Sequence, residues 1–332
     1  MRRRLLPAAL AVLALAAGTA CTAGAGAPSA GSSAAPVVRV AHVPSTLFAP
    51  LYVAEAKGYF KDEGLDVQLQ KVKTGQDAVP LAGAGKVEVV AAGFSAGLFN
   101  AAAKGLDVKI AASMGASTGA SPSPTTLEVA KKLVDSGELT RPEDLRGHKV
   151  AVAGGAGAAG GYQLAATLGQ AGLGIDDVTV VNVAIPDMQG ALANGAVSAA
   201  MAPAPFTTAM EEKGVGHPLA IPPQGTTASG AVFGGGFDAT PAARKFLTAL
   251  RKASADLQNG GATREDVLAI LAKATGQDVA VLRATSPYGW SPDLKPDGAQ
   301  IAAQQQAYAK AGLLDGAQRG AAELVASAAK DG

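Results

Sequence analysis

Two stretches of this chain repeat one order of elements, and that repetition constrains the fold more than any other feature. Val37-Val38-Arg39-Val40-Ala41-His42-Val43 reads as a strand, and residues 44–50 break it before a helix over 51–58. A strand over 65–72 follows, then a helix over 77–84 with Thr74 placed to cap it, then a strand over 87–91. The second stretch has a strand over 148–153, a glycine loop, a helix over 162–171, a strand over 178–183, a helix over 187–194 and a strand over 197–201. Asp66-Val67-Gln68-Leu69-Gln70-Lys71-Val72 stands 111 positions before Asp177-Val178-Thr179-Val180-Val181-Asn182-Val183. With a one-residue slip, Gly85-Lys86-Val87 parallels Gly195-Ala196-Val197. A strand-helix-strand-helix-strand order met twice predicts an α/β fold of two lobes, each with an open sheet.

Open α/β sheets collect ligands outside the C-terminal ends of their strands, where helix N-termini present free amides. With the lobes face to face, four loops meet across one cleft: 44–48, 93–97, 154–161 and 202–206. The run GASTGASPSPTT after a strand over 108–114 suits a crossing between lobes, and the chain is expected to return near 222–230. This divides the body into residues 37–116 plus 229–332 and residues 117–228. The C-terminal third reads as helical, with Pro241 following Thr240, Thr263 paired with Asp266 as a second capping box, and a long segment over 297–313. These helices are expected to pack on the first lobe and the hinge.

The N-terminus carries an address. Met1-Arg2-Arg3-Arg4 precedes 13 apolar residues, too few to span a bilayer, and Gly18-Thr19-Ala20-Cys21 follows. Residues 1–20 therefore read as a lipoprotein signal and Cys21 as the lipidated residue. Residues 22–36 hold only small and polar side chains and form a tether that reaches roughly 20 Å. Cys21 is the single cysteine, which rules out a disulfide framework and a cysteine metal site. Without residues 1–20, 25 basic residues face 27 acidic ones, so nothing here has a nucleic-acid footprint. His42, His148 and His217 are isolated in sequence, and no metal-ligand spacing exists.

Three motifs invite other functions. Gly155-Ala156-Gly157-Ala158-Ala159-Gly160 fits a dinucleotide fingerprint, but the following strand ends at Asn182 without the acid that would hold a ribose. A loop where a ligand approaches backbone amides, or a plain tight turn, suits it better. Gly93-Phe94-Ser95-Ala96-Gly97 matches a nucleophile elbow, so a secreted serine hydrolase using Ser95 is the alternative function; no oxyanion segment precedes it. Gly85-Lys86 lacks the partners of a phosphate loop, since Pro80 and Val87 occupy the diagnostic positions. The aromatics Phe48, Phe94, Tyr162 and Phe206 lie in or beside the four loops of a chain only 4% aromatic, which points them at a pocket. Trp290 reads as a packing anchor for the C-terminal segment.

Ala49-Pro50-Leu51-Tyr52-Val53-Ala54 and Gly58-Tyr59-Phe60-Lys61-Asp62-Glu63-Gly64-Leu65-Asp66-Val67 resemble the N-terminal signature of solute-binding proteins of the nitrate, sulfonate and taurine type of ABC importer, a group that includes binders of thiamine-pyrimidine precursors. Asp144-Leu145-Arg146-Gly147-His148-Lys149-Val150-Ala151-Val152 and the segment 191–200 followed by Pro205-Phe206 resemble two further stretches of that family. The resemblance implies a type II periplasmic-binding-protein fold, two lobes on a two-stranded hinge that close on a small solute. It implies ligand contacts from Ser45, Thr46, Leu47, Phe48, Phe94, Ser95, Met114, Gly155, Ala156, Gly157, Tyr162, Pro203 and Phe206, with no cofactor and no metal. It also implies a monomer held at the outer face of the membrane that works with a permease and its ATPase. Glu88 and Ser198 stand where the family usually has Asp, and are expected to act in lobe packing. No Arg or Lys lies in the four loops, so helix amides with Ser45, Thr46 and Ser95 could hold an anion, or Phe48, Phe94 and Phe206 a heteroaromatic. The pyrimidine-precursor synthases that share the fold use a cysteine-rich motif, and no cysteine follows Cys21.

Overall fold

The computed structural model describes residues 35–330. The signal, Cys21 and most of the expected tether lie outside them. Among the described residues, no helix is long and apolar enough to cross a membrane.

The chain runs β1 (Val37–His42), α1 (Ala49–Ala56), α2 (Tyr59–Asp62), β2 (Asp66–Lys71), α3 (Gly75–Gly83), β3 (Val89–Gly93), α4 (Ala96–Ala103) and β4 (Val108–Ser113) before it first crosses over. The second lobe holds β5 (Thr125–Ala130), α5 (Lys131–Asp135), β6 (Lys149–Val152), α6 (Ala159–Gly169), β7 (Thr179–Asn182), α7 (Ile185–Asn194), β8 (Ala199–Pro203), α8 (Phe206–Glu212) and β9 (Gly216–Ala220). After the return come β10 (Ser229–Gly234), α9 (Pro241–Asp256), α10 (Glu265–Thr275), α11 (Val279–Ala284), α12 (Gly298–Lys310) and α13 (Ala321–Leu324).

The sheets have the orders β2-β1-β3-β10-β4 and β7-β6-β8-β5-β9. The repeat seen in sequence is a repeat of register: Val40 pairs with Val89 and Val150 with Ala199, the same separation of 49 residues in both lobes. The one-residue slip lies between the first two strands, where Val37 pairs with Asp66 but Lys149 with Thr179. β5 and β10 each run antiparallel to their neighbours, so both sheets are mixed. Every residue of both strands is buried, which removes the alternation that would mark them in sequence. The two crossings are tied together: Ser117 N donates to the Thr226 carbonyl at 2.9 Å and Gly225 N to the Ser117 carbonyl at 2.9 Å.

Local chemistry sets the helix ends. Thr74, Thr240 and Asp297 accept first-turn amides at the starts of α3, α9 and α12. The expected box at Thr263 does not form. Arg264 takes the cap position of α10, its guanidinium pairs with Asp266, and the Thr263 hydroxyl donates to the Gly260 carbonyl instead. Glu88 accepts from Arg39 N at 2.7 Å and from its guanidinium at 2.6 Å, and Ser198 Oγ lies 2.8 Å from His148 Nδ1. Both side chains thus bind the first parallel strand of their sheet to the third.

The C-terminal helices divide in two. α9 and α10 pack on α1, with Phe60 of α2 and Phe246 of α9 stacked at 5.0 Å between centroids. α12 departs from the expectation. It lies against α4 of the first lobe and α6 of the second, because its Ile301 and Tyr308 share one apolar cluster with Phe94, Phe99 and Tyr162. The Tyr308 hydroxyl is 2.9 Å from the Phe94 carbonyl and 3.0 Å from the Ala158 carbonyl, and so bridges the lobes. Ala96 N donates to the Gly157 carbonyl at 2.9 Å beside it, and the Tyr162 hydroxyl donates to Gln300 Oε1 at 2.7 Å.

Removing that hydroxyl takes the side-chain donor from the buried Phe94 carbonyl at nearly constant shape, while the Ala158 carbonyl keeps the amides of Gly161 and Tyr162. Tyr308→Phe is expected to cost about 1–3 kcal/mol, read as a lower midpoint in thermal or denaturant unfolding; an unchanged midpoint contradicts a structural role for the bridge.

Candidate functional site

Because β1, β2 and β3 run parallel, as do β6, β7 and β8, their C-terminal ends point to one side of each sheet. Between those two sides lies a cavity of about 410 Å³, lined from both lobes. The volume suits a small organic solute.

The loop after β1 forms one wall, with Ser45, Thr46, Leu47 and Phe48 all lining the cavity. Its shape is held from behind. Ser45 N donates to the Tyr52 hydroxyl at 3.4 Å, and that hydroxyl lies 2.9 Å from His42 Nδ1 and 3.3 Å from the Val43 carbonyl. Burial pushes the Tyr52 phenol up to about 12, so it remains a donor. Burial, with Lys71 nearby, lowers His42 below the usual imidazole range, so the ring stays neutral. Trp290 Nε1 donates to the Leu47 carbonyl at 2.9 Å, which makes Trp290 an anchor for this loop. Gly115, at φ +72°, sits so close to Leu47 that a Cβ there would meet Leu47 Cδ2 at 2.3 Å.

The loop after β3 contributes Gly93 and Ser95. Phe94, between them, is buried in the apolar cluster that includes Tyr308. The Ser95 hydroxyl accepts from Leu98 N at 3.3 Å and caps α4. No histidine is bonded to it: His42 and His148 are engaged with Tyr52 and Ser198, and His217 is exposed on β9. A nucleophile and base are therefore not assembled here.

In the second lobe, Gly154 and Ala158 to Gly160 line the cavity, whereas Gly155, Ala156 and Gly157 do not. Gly154 N donates to Asn182 Oδ1 at 2.9 Å, so the side chain at the place where a ribose-binding acid would stand is spent on the loop itself. Gly157 lies against Ala96 and Leu313, and Tyr162 packs in the seam between lobes. Met114 is buried behind the wall, where its carbonyl accepts from the Ser229 hydroxyl at 2.7 Å; Ser229 is the residue that reaches the cavity. Pro203 and Phe206 line the cavity at the end of β8 and the start of α8. Thus Ser45, Thr46, Leu47, Phe48, Ser95, Pro203 and Phe206 are brought together, and Phe94, Met114, Gly155, Ala156, Gly157 and Tyr162 stand outside the lining.

Sequence reasoning missed several lining residues. Lys73, Thr74 and Gly75 follow β2, and Ile185 follows β7. Ligand-facing loops follow the second parallel strand of each sheet as well as the first and third, which accounts for these residues. Tyr288 and Gln277 come from the C-terminal segment, and Tyr288 shares a 2.9 Å hydrogen bond with Thr125 of β5. No local signal announces them. Lys73 is the only charged side chain in the lining, and among the described residues it has no ion-pair partner. No group of acids, histidines or cysteines among the described residues could hold a metal.

A family model described as NMT1/THI5 like matches residues 45–222, more than half of the chain. A 4-amino-5-hydroxymethyl-2-methylpyrimidine phosphate synthase of Aspergillus parasiticus is 46% identical over 56 residues, a match that spans 17% of this chain and 16% of that relative's length. The alkanesulfonate-binding protein SsuA from Xanthomonas axonopodis pv. citri, solved with MOPS bound, superposes with a TM-score of 0.65 at 19% identity, over 88% of this chain and 97% of that one. The periplasmic nitrate-binding protein NrtA from Synechocystis PCC 6803 gives 0.64 at 16% identity, over 87% of this chain and 84% of that one. At such identities the likeness establishes the fold, that of periplasmic binding proteins. Taken with a match that runs from the loop after β1 through the whole second lobe, the chain belongs to the NMT1/THI5-like family.

Proposed function

We propose that this chain is the extracytoplasmic solute-binding component of an ABC-type importer, a non-catalytic receptor that takes up a small organic anion between its lobes and delivers it to a permease. The observation that carries this reading is the lining itself: an open cleft with one cation, the exposed Lys73, no carboxylate, and hydroxyls from Ser45, Thr46, Thr74, Ser95 and Thr125. No side chain caps α6, which leaves the amides of Ala159 and Gly160 available to a negative group at the cavity. Such a helix end contributes about 0.3–1 kcal/mol toward an anion. The names of the sulfonate-binding and nitrate-binding structures support the same class of solute. Phe206 and Met201 give the cavity an apolar side, which favours an organic acid over a bare inorganic ion.

Export and attachment rest on the N-terminal sequence. Residues 1–20 direct secretion, Cys21 receives the lipid, and the tether keeps a monomeric receptor beside its permease. Closing the lobes on the solute creates the surface that the permease reads.

Thermal-shift and Trp290 fluorescence measurements against alkanesulfonates, small carboxylates, nitrate and the matching neutral amides test this reading. At least one organic anion should raise the unfolding midpoint and shift the emission of the chain's single tryptophan. Lys73→Met should weaken that anion by about tenfold, or 1.4 kcal/mol. A panel in which only neutral members bind contradicts the anionic solute, and one in which none bind contradicts the receptor. For the anchor, Cys21→Ser should move the protein from the detergent phase to the aqueous phase of a Triton X-114 partition; a variant that stays with the detergent refutes lipidation at that residue.

A further inference from the structure

β5 is buried along its whole length, and its two faces feed different cores. Leu127 and Val129 join the cluster on one side of the second sheet and Ala130 the cluster on the other. By the period of a strand, Glu128 shares the face of Ala130. That cluster is apolar: Met188 and Leu192 of α7, Ala200 of β8 and Met210 of α8. Glu128 is 0% exposed, and neither carboxyl oxygen has a hydrogen-bond partner. The space for the carboxyl comes from Gly216, where a Cβ would meet Glu128 Oε2 at 2.9 Å and Met210 Cβ at 2.9 Å.

The charged groups on the neighbouring elements do not compensate it. Glu211 of α8 acts on it as a like charge. Lys213, just beyond α8, donates to Gln189 of α7. On α5, Lys131 pairs with Asp135, and Lys132 reaches toward Gly195. Asp187 of α7 and Glu212 of α8 are exposed. In β9, Pro218 stands opposite Glu128, while His217 is paired with Val129 and so lies on the other face. A carboxylate left ionised in such a place costs several kcal/mol, and the group takes a proton instead.

The helix over this carboxyl is also a wall of the cavity. Phe206 begins α8, and Pro203 and Ala204 lead into it; all three line the cavity, as does Thr125 at the head of β5. We propose that Glu128 is a proton-dependent latch under the cavity wall: protonated, it lets α8 seat on the second sheet and holds Phe206 in place, and ionised, it draws water beneath α8 and loosens that wall. The cavity is then fully assembled at acidic and neutral pH and relaxes at alkaline pH, whatever the solute. Burial, with Glu211 adding to it, pushes the carboxyl up to about 8 from an unfolded value of 4.5. An acid raised in this way costs the fold nothing below the unfolded value. The cost grows as pH climbs through the interval and is constant above about 8, where the native protein itself carries the charge.

The test compares the full chain with Glu128→Gln, which has the same shape and no charge at any pH, and with Glu128→Leu. Hydrogen exchange of peptides covering 203–215, referred to peptides of the first sheet, is followed from about pH 6 to about pH 10. The wild type should lose about tenfold of its protection across pH 8 while both variants stay level; a fall of equal size in a variant overturns the latch. If neither variant folds, infrared titration of the wild type decides. A protonated carboxyl band that persists at pH 7 and disappears across pH 8 supports the proposal, and a band already lost at pH 6 overturns it.

Discussion

Parallel strands cannot be joined by a tight turn; each must be followed by a crossover, here a helix, before its neighbour begins. That constraint places the business end of this protein. In both lobes the chain leaves β1 and β3, or β6 and β8, on the same side of the sheet and enters a helix at once, so loops and helix N-termini gather at one edge. The identical spacing of the paired registers makes the two edges counterparts. Face to face, they line one cleft with backbone and hydroxyl groups from both lobes.

The lobes are joined in two different ways. The paired crossings near Ser117 and Thr226 carry the chain between them. On the seam, Tyr308, Tyr162 and the Ala96 to Gly157 hydrogen bond fasten the glycine loop of the second lobe to the start of α4 in the first. The seam is built from a few hydrogen bonds around an apolar patch, so it is the part that a relative movement of the lobes has to break and remake. Glycine at 93 lets the lobes approach here, since a Cβ on it would meet Ala159 Cβ at 2.7 Å.

Much of this architecture was legible in the residues. The alternation of strand and helix patterns gave the order of elements, and Thr74, Thr240 and Asp297 marked helix starts because their short side chains accept first-turn amides. The loop after β1 was found for the same reason that its chemistry matters: it lies between a strand and a helix. What stayed hidden was long-range. β5 and β10 are buried on both faces and lack alternation. The pairing of α12 with both lobes depends on contacts about 150 to 214 positions apart. Phe94 and Tyr162 were placed in the right loops, but a residue's position in a loop does not fix which way its ring points, and both rings went into the seam. Lys73 lies just past β2, the edge strand of its sheet, where no motif marks it.

The central claim is that a solute is held between two bodies that move toward each other. Small-angle X-ray scattering of the folded chain, alone and saturated with an anion that stabilises it, addresses this directly. The account predicts a smaller radius of gyration in the bound form, reversed when the anion is removed. An unchanged radius with the anion demonstrably bound would contradict it, and would make the cavity a rigid pocket.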